Sequence, residues 1–513
     1  MGSFANKYGG NVVKKSKIVL IILSAILILL GSITLISSIW YVLTFGNVGF
    51  SAIVFTLLTS KSNAEAGIVW SYLWKAFLPS LVLAVLLFGL LWYRPKKKKS
   101  TEKTKNKTFA FYPFSTRVAS VLSIVLSISM LITASFLVAF PQYIESNISK
   151  TEIYETEYFD PENVRIVFPQ KKRNIIYIYL ESMETTFLSK EQGGALEHNV
   201  IPELYDIAKN NVNFSHNTDV GGWPVVPNTT WTVASIVAQT SGVPLNSNFN
   251  ANYYGAFDAF LPGIKTTQDI LKENGYYQAV MLGSDSNFGY IDKYFYQHGV
   301  DKIYDLYTAR EDGIVPKDYY VWWGMEDLYV YEYAKRELAK IANKDQPFMF
   351  TMMTIDTHRV GGYKCKYCGS DYKERYENVY SCASKQLSSF LDWLKEQPFY
   401  SNTTIVVCGD HATMDKEYID RRVDSRYDRH VYNCIINSVV STDKTKNRTF
   451  TPFDMFPTTL AAAGCKIEGE RLGLGTNMFS DVPTLTERYS IKYINKEIVK
   501  SSDYYTNKFC KTK

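Results

Sequence analysis

Two short hydrophobic runs that each end at an acidic residue constrain the fold of this 513-residue chain more than any other feature. The run 174–180 is followed directly by Glu181, and the run 404–408 is followed, after one glycine, by Asp410 and His411. Continuous apolar runs of this length are typical of strands buried on both faces, as in parallel α/β sheets. Because such sheets bind ligands at the carboxyl ends of their strands, we expect these three polar side chains to converge on one cation.

Two further apolar runs end in the same way. The run 277–282 leads into Asp285, and the run 348–355 leads into Asp356 and His358. Segments with helical periodicity separate the runs, at about 202–210, 232–240, 265–275, 323–341, 375–397 and 454–464. This alternation predicts an α/β domain with a mostly parallel central sheet.

The first part of the chain contains three stretches without charged residues, 18–43, 76–93 and 118–140. The first and third are long enough to cross a bilayer as helices, whereas 76–93 is marginal. A buried core helix is the alternative for 76–93, but Trp92, Tyr93 and a lysine-rich loop follow it, as expected at a membrane boundary. We therefore predict a three-helix transmembrane anchor.

This anchor is assigned to residues 1–145, a connector to 146–172 and an α/β domain to 173–513. Lysines before the first span and the basic loop 94–107 place those segments in the cytoplasm. By alternation, everything after Pro141 is extracytoplasmic, which predicts a multi-pass protein of the plasma or inner membrane. The net charge of +6 owes much to these cytoplasmic flanks and does not indicate binding to nucleic acid.

Three of the seven cysteines, Cys365, Cys368 and Cys382, lie close together in the sequence. Cys365 and Cys368 form a Cys-x-x-Cys motif, which in isolation is half of a zinc site, but no second pair or His-x-x-x-His motif completes it. On the oxidising side of a membrane, a disulfide among the three is the favoured interpretation. The pairing is left open.

Glu181, Asp410 and His411 offer two hard oxygens and an imidazole, which suits one divalent ion: Mn²⁺, Mg²⁺ or Zn²⁺. The alternative is that each side chain caps a loop or balances a nearby charge. A nucleophile is available in the Gly/Pro-rich loop that leads into the helix predicted to begin near Thr232. A hydroxyl at a helix N-terminus is favoured as an anionic nucleophile. Capping of the helix is the alternative role for Thr230 or Thr232, and Thr229 and Thr230 are rival nucleophiles.

These motifs resemble the sulfatase/alkaline-phosphatase superfamily. The resemblance rests on Leu-Glu-Ser (180–182), the threonine-rich helix start, Thr-Ile-Asp-Thr-His (354–358), Gly-Asp-His (409–411) and the segment 454–462. Within that superfamily, the segments 231–245 and 471–480 resemble the phosphoglycerol transferases of periplasmic glucans and, more distantly, the lipoteichoic acid synthases. The similarity covers about 165–485. Thr-Ser-Gly stands before Val243, where the family pattern has Gln-Cys-Gly.

The resemblance implies roles for particular residues. Thr232, ten positions before the matching glycine, would be the nucleophile, and its oxygen would join Glu181, Asp410 and His411 as a metal ligand, most readily for Mn²⁺. His358 would contact the substrate phosphate and protonate the leaving oxygen. Asp285, Lys293 and Arg429 are weaker candidates for substrate contacts; each is otherwise a surface charge.

The implied reaction moves glycerol phosphate from phosphatidylglycerol to an envelope glycan or polyglycerophosphate, through a covalent threonine intermediate. One rival is a phosphoethanolamine transferase of the same superfamily, although those enzymes usually carry more zinc ligands and disulfides than this chain's six histidines and few cysteines suggest. A secreted sulfatase is disfavoured because no Cys-x-Pro-x-Arg motif stands at the nucleophile. A non-catalytic membrane sensor that binds lipid or glycan is the rival from a different class.

Overall fold

The computed structural model describes residues 2–46, 49–59, 66–92, 114–246 and 259–511. The chain divides into two compact units. The first, here called the helical unit, holds residues 1–49 and 64–142; the second, the sheet unit, holds residues 50–63 and 143–513, and so includes the short helix at 50–59. The lysine-rich loop 94–107 lies outside the described residues.

The α-helices of these described ranges are numbered in chain order. They are α1 (Gly2–Phe45), α2 (Phe50–Thr59), α3 (Ala66–Tyr72), α4 (Leu78–Trp92), α5 (Thr116–Leu137), α6 (Phe140–Ile148), α7 (Ile153–Glu157), α8 (Pro202–Lys209), α9 (Thr232–Ser241), α10 (Thr267–Glu273), α11 (Ile291–Gln297), α12 (Leu306–Glu311), α13 (Asp327–Ala342), α14 (Arg375–Lys395), α15 (Lys416–Arg422), α16 (Met455–Ala462), α17 (Leu485–Tyr489) and α18 (Ile491–Glu497). Short 3₁₀ or π segments extend several of them.

In the helical unit, three helical stretches of the described residues are long and apolar enough to span a membrane: Ser16–Phe45, Val69–Trp92 and Thr116–Leu137. The second is longer than the predicted 76–93 because the π-helical segment Leu73–Phe77 continues the helix through Lys75. A side chain at Gly31 of α1 would meet Met130 of α5 at 2.8 Å, so glycine permits this close approach. The three predicted apolar helices are therefore present.

The strands are numbered in chain order as well. They are β1 (Ile166–Val167), β2 (Asn174–Leu180), β3 (Gly222–Pro224), β4 (Tyr277–Leu282), β5 (Lys302–Tyr304), β6 (Phe348–Met353), β7 (Thr403–Gly409), β8 (His430–Ile436), β9 (Lys466–Ile467), β10 (Arg471–Leu472) and β11 (Gly475–Thr476). Seven of these form the main sheet in the order β3-β8-β7-β2-β6-β4-β5. Pairing is parallel from β7 to β5 and antiparallel at β8 and β3.

Strand β2 lies at the centre of this sheet and is buried along its whole length. Its side chains alternate between two hydrophobic cores, one on each face of the sheet. The four strands predicted from apolar runs are β2, β4, β6 and β7, and they are neighbours in the sheet. The prediction of an α/β domain with a mostly parallel central sheet is confirmed.

The segment 146–172, predicted as a connector, packs onto the sheet unit instead of forming a separate linker. Strand β1 pairs with β9, and the buried hydroxyl of Tyr154 donates to Ile498 O at 3.1 Å. The carboxylate of Glu157 accepts from Arg488 and, at 3.2 Å, from Arg471. Tyr489 Oη donates to the same carboxylate at 2.6 Å.

Helix α2 also belongs to the sheet unit, although its residues fall within the predicted anchor, 1–145. Phe55 of α2 is 5% exposed and lies in the core beside Trp231, with the ring centroids 5.9 Å apart. Ser51 Oγ donates to Asn228 Oδ1 at 3.2 Å. This short helix therefore completes the core next to the N-terminus of α9.

All seven cysteines lie in described residues and are free thiols, which corrects the prediction of a disulfide. Cys365 Sγ is 3.7 Å from Cys382 Sγ and 3.6 Å from Cys368 Sγ. A disulfide bond is only about 2.05 Å long. The three sulphurs are therefore clustered without being bonded.

The buried carboxylate of Glu157 yields a test of the packed connector. In Glu157→Ala, the charges of Arg471 and Arg488 lose their shared partner, and breaking a buried ion pair costs about 3–5 kcal/mol. We expect a free energy of unfolding lower by about 3 kcal/mol, measured by denaturant titration in detergent. In Asp503→Ala, which removes one half of an exposed ion pair with Lys150, a change below about 1 kcal/mol is expected. Equal effects of the two substitutions would contradict this account.

Candidate active site

Strand register brings the acidic residues of two distant segments together. In the parallel pair β2 and β7, Leu180 lies opposite Gly409, so the next residues, Glu181 and Asp410, emerge side by side at the carboxyl edge. A Cβ at Gly409 would lie 2.0 Å from Met183 O, so only glycine allows the chain to approach this closely. The geometry expected from the two apolar runs is present.

Glu181, Asp410 and His411 form a compact buried cluster. The atoms they offer to a metal all lie within 4.8 Å of one another. His411 Nε2 is 3.3 Å from Asp410 Oδ2 and 3.8 Å from Glu181 Oε1. Burial, together with the neighbouring charge of Asp410, raises the pKa of Glu181 well above its ordinary value. A bound cation would offset the unfavourable free energy of burying two carboxylates away from water.

The hydrogen bonds around this cluster leave its ligand atoms free to face a metal. Asp410 Oδ1 accepts from the backbone N–H groups of Ser182 and His411, both at 2.7 Å. His411 Nδ1 pairs with Ala412 O at 3.0 Å, which requires the proton on Nδ1 and leaves the lone pair on Nε2. Asp410 Oδ2 and His411 Nε2 are buried without a hydrogen-bond partner. Two orphaned acceptors facing each other fit a divalent cation.

Helix α9 places its N-terminus at this cluster. Ser235 Oγ donates to Asp410 O, and Gln239 Nε2 donates to Gly409 O at 3.3 Å. Thr232, the first residue of α9, lies on the same helix face one turn before Ser235. The residue is partly exposed.

The rival threonines differ in their environments. Thr229 is 5% exposed, and its hydroxyl donates to Val226 O at 2.9 Å. That bond occupies the Thr229 hydroxyl in the fold and makes it a poor nucleophile. Thr230 is partly exposed and precedes the N-cap residue Trp231, so it remains a rival of Thr232.

His358 belongs to the same edge of the sheet. The neighbouring Thr357 Oγ1 donates to Glu181 O at 2.5 Å. The pairing of His358 Nδ1 with Arg359 O at 2.9 Å puts the ring proton on Nδ1. Burial, and then the charge of Arg359, lowers the pKa of His358 to about 3. The imidazole is therefore neutral, and its lone pair lies on Nε2.

The three weaker candidates occupy different surroundings. Asp285 accepts from Asn287 N at 2.9 Å, and Lys293 Nζ lies 4.5 Å from the centre of the Tyr290 ring. Arg429 donates from Nε to Glu184 Oε2 at 2.8 Å. Because Glu184 is fully buried, the charge of Arg429 balances a core carboxylate. Substrate contacts by Asp285, Lys293 and Arg429 remain predictions.

Sequence reasoning missed several residues that support the site. Ser182 donates from Oγ to Glu181 Oε1 at 2.6 Å, and its φ of 54° turns the chain sharply at the end of β2. The ring of Trp323 lies 4.4 Å from that of His358. The Leu-Glu-Ser motif contains a signal for Ser182, because a polar residue follows the ligand directly. Trp323 comes from a distant loop and leaves no such signal.

A second carboxylate pair lies next to this edge. Asp327 Oδ1 accepts from the backbone of Ile355 at 2.6 Å, and Asp356 Oδ1 accepts from Asp327 N at 3.1 Å. Burial raises the pKa of Asp327 to about 7, and burial followed by the charge of Asp327 raises the pKa of Asp356. The pair therefore holds protons at pH values where exposed aspartates have lost them.

The sequence is similar to that of a known family and of several named proteins. The sulfatase family model matches residues 173–465. Phosphoglycerol transferase I of Escherichia fergusonii is 30% identical over 257 residues, 48% of this chain and 32% of that protein. The protein of the same name from Salmonella choleraesuis is 29% identical over 259 residues, with the same shares covered. The chain thus spans about a third of the length of these relatives.

Two solved structures align with most of this chain. The lipooligosaccharide phosphoethanolamine transferase A of Neisseria meningitidis, an integral membrane protein, aligns with a TM-score of 0.49 and 13% identity, covering 86% of this chain and 84% of that one. The lipoteichoic acid synthase LtaP of Listeria monocytogenes aligns with a TM-score of 0.45 and 19% identity, covering 62% and 79%.

Ser182 offers a test of the metal site that leaves every proposed ligand intact. In Ser182→Ala, Glu181 loses the hydroxyl that orients it, and loss of such a partner typically weakens metal binding about 10–100-fold. We expect a Mn²⁺ dissociation constant raised about tenfold, measured by equilibrium dialysis of the purified chain. In Ser189→Ala, whose hydroxyl donates to Gln192 away from the cluster, no change is expected. Unchanged Mn²⁺ binding by Ser182→Ala would contradict the assigned ligands.

The carboxylate pair yields a pH dependence. Unfolded aspartates titrate near pH 4, whereas Asp327 titrates at about 7 in the folded protein. Between these values the folded state binds more protons than the unfolded state, so the free energy of unfolding falls as the pH rises. The slope from one such group is at most about 1.4 kcal/mol per pH unit.

Asp327→Asn keeps the acceptor for Ile355 N and removes this titration. We expect the free energy of unfolding to fall less steeply between about pH 4 and pH 7, as measured by denaturant titration across that range. Asp371→Asn, at an exposed carboxylate, is the control. An unchanged slope in Asp327→Asn would show that Asp327 is ionised in the folded protein.

Proposed function

Because the chain belongs to the sulfatase family, we propose that its sheet unit is a metal-dependent phosphotransferase. It moves glycerol phosphate from phosphatidylglycerol to a cell-envelope glycan or to polyglycerophosphate. The observation that carries this proposal is the convergence of Glu181, Asp410 and His411 within 4.8 Å beside the helix N-terminus that bears Thr232. The relatives named phosphoglycerol transferase I support the choice of transferred group.

The metal ligands are Glu181, Asp410, His411 and the hydroxyl of Thr232. The mixture of two carboxylates, one imidazole and one hydroxyl suits Mn²⁺, with Mg²⁺ or Zn²⁺ as alternatives. When bound, such an ion would lower the pKa of a hydroxyl ligand and neutralise charge on a phosphodiester. Ser182 and the backbone around Asp410 hold the two carboxylates in position.

Thr232 Oγ attacks the phosphorus of the donor. The new oxygen–phosphorus bond forms as the bond from phosphorus to the diacylglycerol oxygen breaks, so diacylglycerol leaves and glycerol phosphate stays on Thr232. An acceptor hydroxyl then bonds to phosphorus and releases Thr232. The backbone N–H groups at the start of α9 favour the negative charge of the phosphate in both steps.

His358 relays one proton in each half-reaction. In the first step its neutral imidazole accepts the proton of Thr232 Oγ through Nε2 and gives it to the departing diacylglycerol oxygen. In the second step it accepts the proton of the acceptor hydroxyl and returns it to Thr232 Oγ. Trp323 packs on the ring and limits its orientation. His358 thus keeps its expected role as the acid for the leaving oxygen and also serves as the base.

The three apolar spans support a location at the lipid surface. We infer that the sheet unit is extracytoplasmic at the plasma or inner membrane. A donor that is itself a lipid is concentrated in that layer, so an anchored enzyme meets it at a high effective concentration. Anchoring in the membrane therefore favours a phospholipid donor over a soluble ester.

The test of this function is release of diacylglycerol from fluorescent phosphatidylglycerol in the presence of Mn²⁺. Thr232→Ala is expected to lower the rate at least about 10³-fold, because it removes the nucleophile. Thr232→Ser keeps a hydroxyl and retains activity, and Thr229→Ala and Thr230→Ala change the rate less than about tenfold.

Each alternative gives a distinct result in this assay. Full activity in Thr232→Ala, with loss in Thr230→Ala, identifies Thr230 as the nucleophile. Consumption of phosphatidylethanolamine in place of phosphatidylglycerol identifies a phosphoethanolamine transferase. Binding of phosphatidylglycerol vesicles without turnover of either lipid identifies a non-catalytic sensor.

A further inference from the structure

A second cluster of metal-ligating side chains lies outside the candidate active site. Cys365 and Cys368 stand in the loop between β6 and α14, and Cys382 stands in α14. Their sulphurs all lie within 4.8 Å of one another. We propose that these three thiols bind one Zn²⁺ ion, and that the ion ties this loop to α14.

The sulphur separations agree with a zinc site. Two sulphurs bound to tetrahedral Zn²⁺ at about 2.3 Å are about 3.8 Å apart. The separations from Cys365 Sγ are 3.6 Å to Cys368 Sγ and 3.7 Å to Cys382 Sγ. A disulfide would bring one pair to about 2.05 Å and move the third sulphur away. The nearly equal separations therefore favour shared coordination over a bond between two thiols.

Local structure holds the three sulphurs on one side. Cys368 N donates to Cys365 O at 3.1 Å, which closes a tight turn over the Cys-x-x-Cys motif. Cys382 lies on the rigid 21-residue helix α14. Cys365 and Cys382 are 4% and 5% exposed, so their thiols are largely removed from water. A turn with two ligands facing a helix with a third is a suitable frame for a structural ion.

Gln386 is placed to supply the fourth ligand. It lies one helical turn after Cys382, and its amide nitrogen is 3.5 Å from Cys382 Sγ and 4.0 Å from Cys365 Sγ. Its Oε1 is buried and has no hydrogen-bond partner. A half-turn of the amide exchanges the two atoms and points Oε1 at the sulphurs. Sulphur and oxygen bound to one tetrahedral Zn²⁺ are about 3.6 Å apart, close to the observed separation.

Charge and access also suit a cation held by three thiolates. Such a site carries one net negative charge, and Lys364, Lys366 and Lys385 each adjoin one of the proposed ligands in the sequence. A surface groove of about 370 Å³, lined in part by Tyr367, Cys382 and Gln386, leads to the cluster. An ion can therefore enter without unfolding of the domain.

The proposed ion would fix a segment that matters to the active site. The loop that carries Cys365 begins at the end of β6 and includes His358. Tyr376 of α14 donates to Thr357 O at 2.6 Å, so the helix already contacts this segment. The zinc site takes no part in the proposed phosphotransferase chemistry. Failure of either proposal would therefore leave the other unaffected.

The test uses the full chain in detergent, in an Asp410→Ala background that disables the active-site metal cluster. After loading with Zn²⁺ and dialysis, elemental analysis is expected to find one zinc per chain. Cys382→Ser is expected to weaken Zn²⁺ binding at least a hundredfold, and Gln386→Ala about tenfold. Cys465→Ser, at a buried thiol elsewhere in the core, leaves the zinc content at one.

A second measurement needs no substitution and so leaves the packing of the chain unchanged. Alkylation of the same protein with and without Zn²⁺, followed by peptide mapping, is expected to find all three thiols protected by zinc. Replacement of zinc by Co²⁺ is expected to add thiolate charge-transfer absorption in the near ultraviolet. A disulfide among the three in protein purified without reductant, or zinc content unaffected by Cys382→Ser, overturns the proposal. Unchanged affinity in Gln386→Ala overturns the fourth ligand.

Discussion

The parallel pairing of β2 with β7 is the constraint on which the candidate site depends. Its register sets Leu180 opposite Gly409, so two carboxylates from segments more than 200 residues apart leave the sheet together. A slip of one residue would turn one of the side chains to the other face. The two hydrophobic cores prevent this slip because each strand is buried on both sides. Packing over the whole sheet thereby fixes the distances of a few ångströms between the groups of the candidate site.

Burial of so much negative charge needs compensation, and the chain handles its carboxylates in three ways. Glu157 and Glu184 are paired with arginines. Burial raises the pKa values of Asp327 and Asp356 and so disfavours their charged forms. At the cluster around Asp410, by contrast, an aspartate oxygen and an imidazole nitrogen that both lack a partner lie 3.3 Å apart, while Asp410 Oδ1 accepts two backbone hydrogen bonds. That difference separates a site prepared for a cation from carboxylates that stabilise the fold.

The sequence predicts the parts of this arrangement that depend on local pattern. Continuous apolar runs identify β2 and β7, and the residues that end them are the ones that the structure brings together. Short helices such as α11, α12 and α15 escape prediction because fewer than two full turns carry little periodicity. The Asp327–Asp356 pair and the spacing of the three cysteine sulphurs arise from contacts between distant segments. Such contacts depend on packing, which no local pattern contains.

The position of α2 in the chain has a consequence for any soluble fragment of this protein. A fragment that starts after the third apolar helix would lack residues 50–59, and with them Phe55, which packs beside Trp231 and Phe260. Loss of a buried phenylalanine costs about 3–5 kcal/mol, and the gap would open directly before Thr232. Ectodomain boundaries drawn from the last span alone therefore remove a piece of the interior. Supplying α2 as a fused or added peptide would restore it.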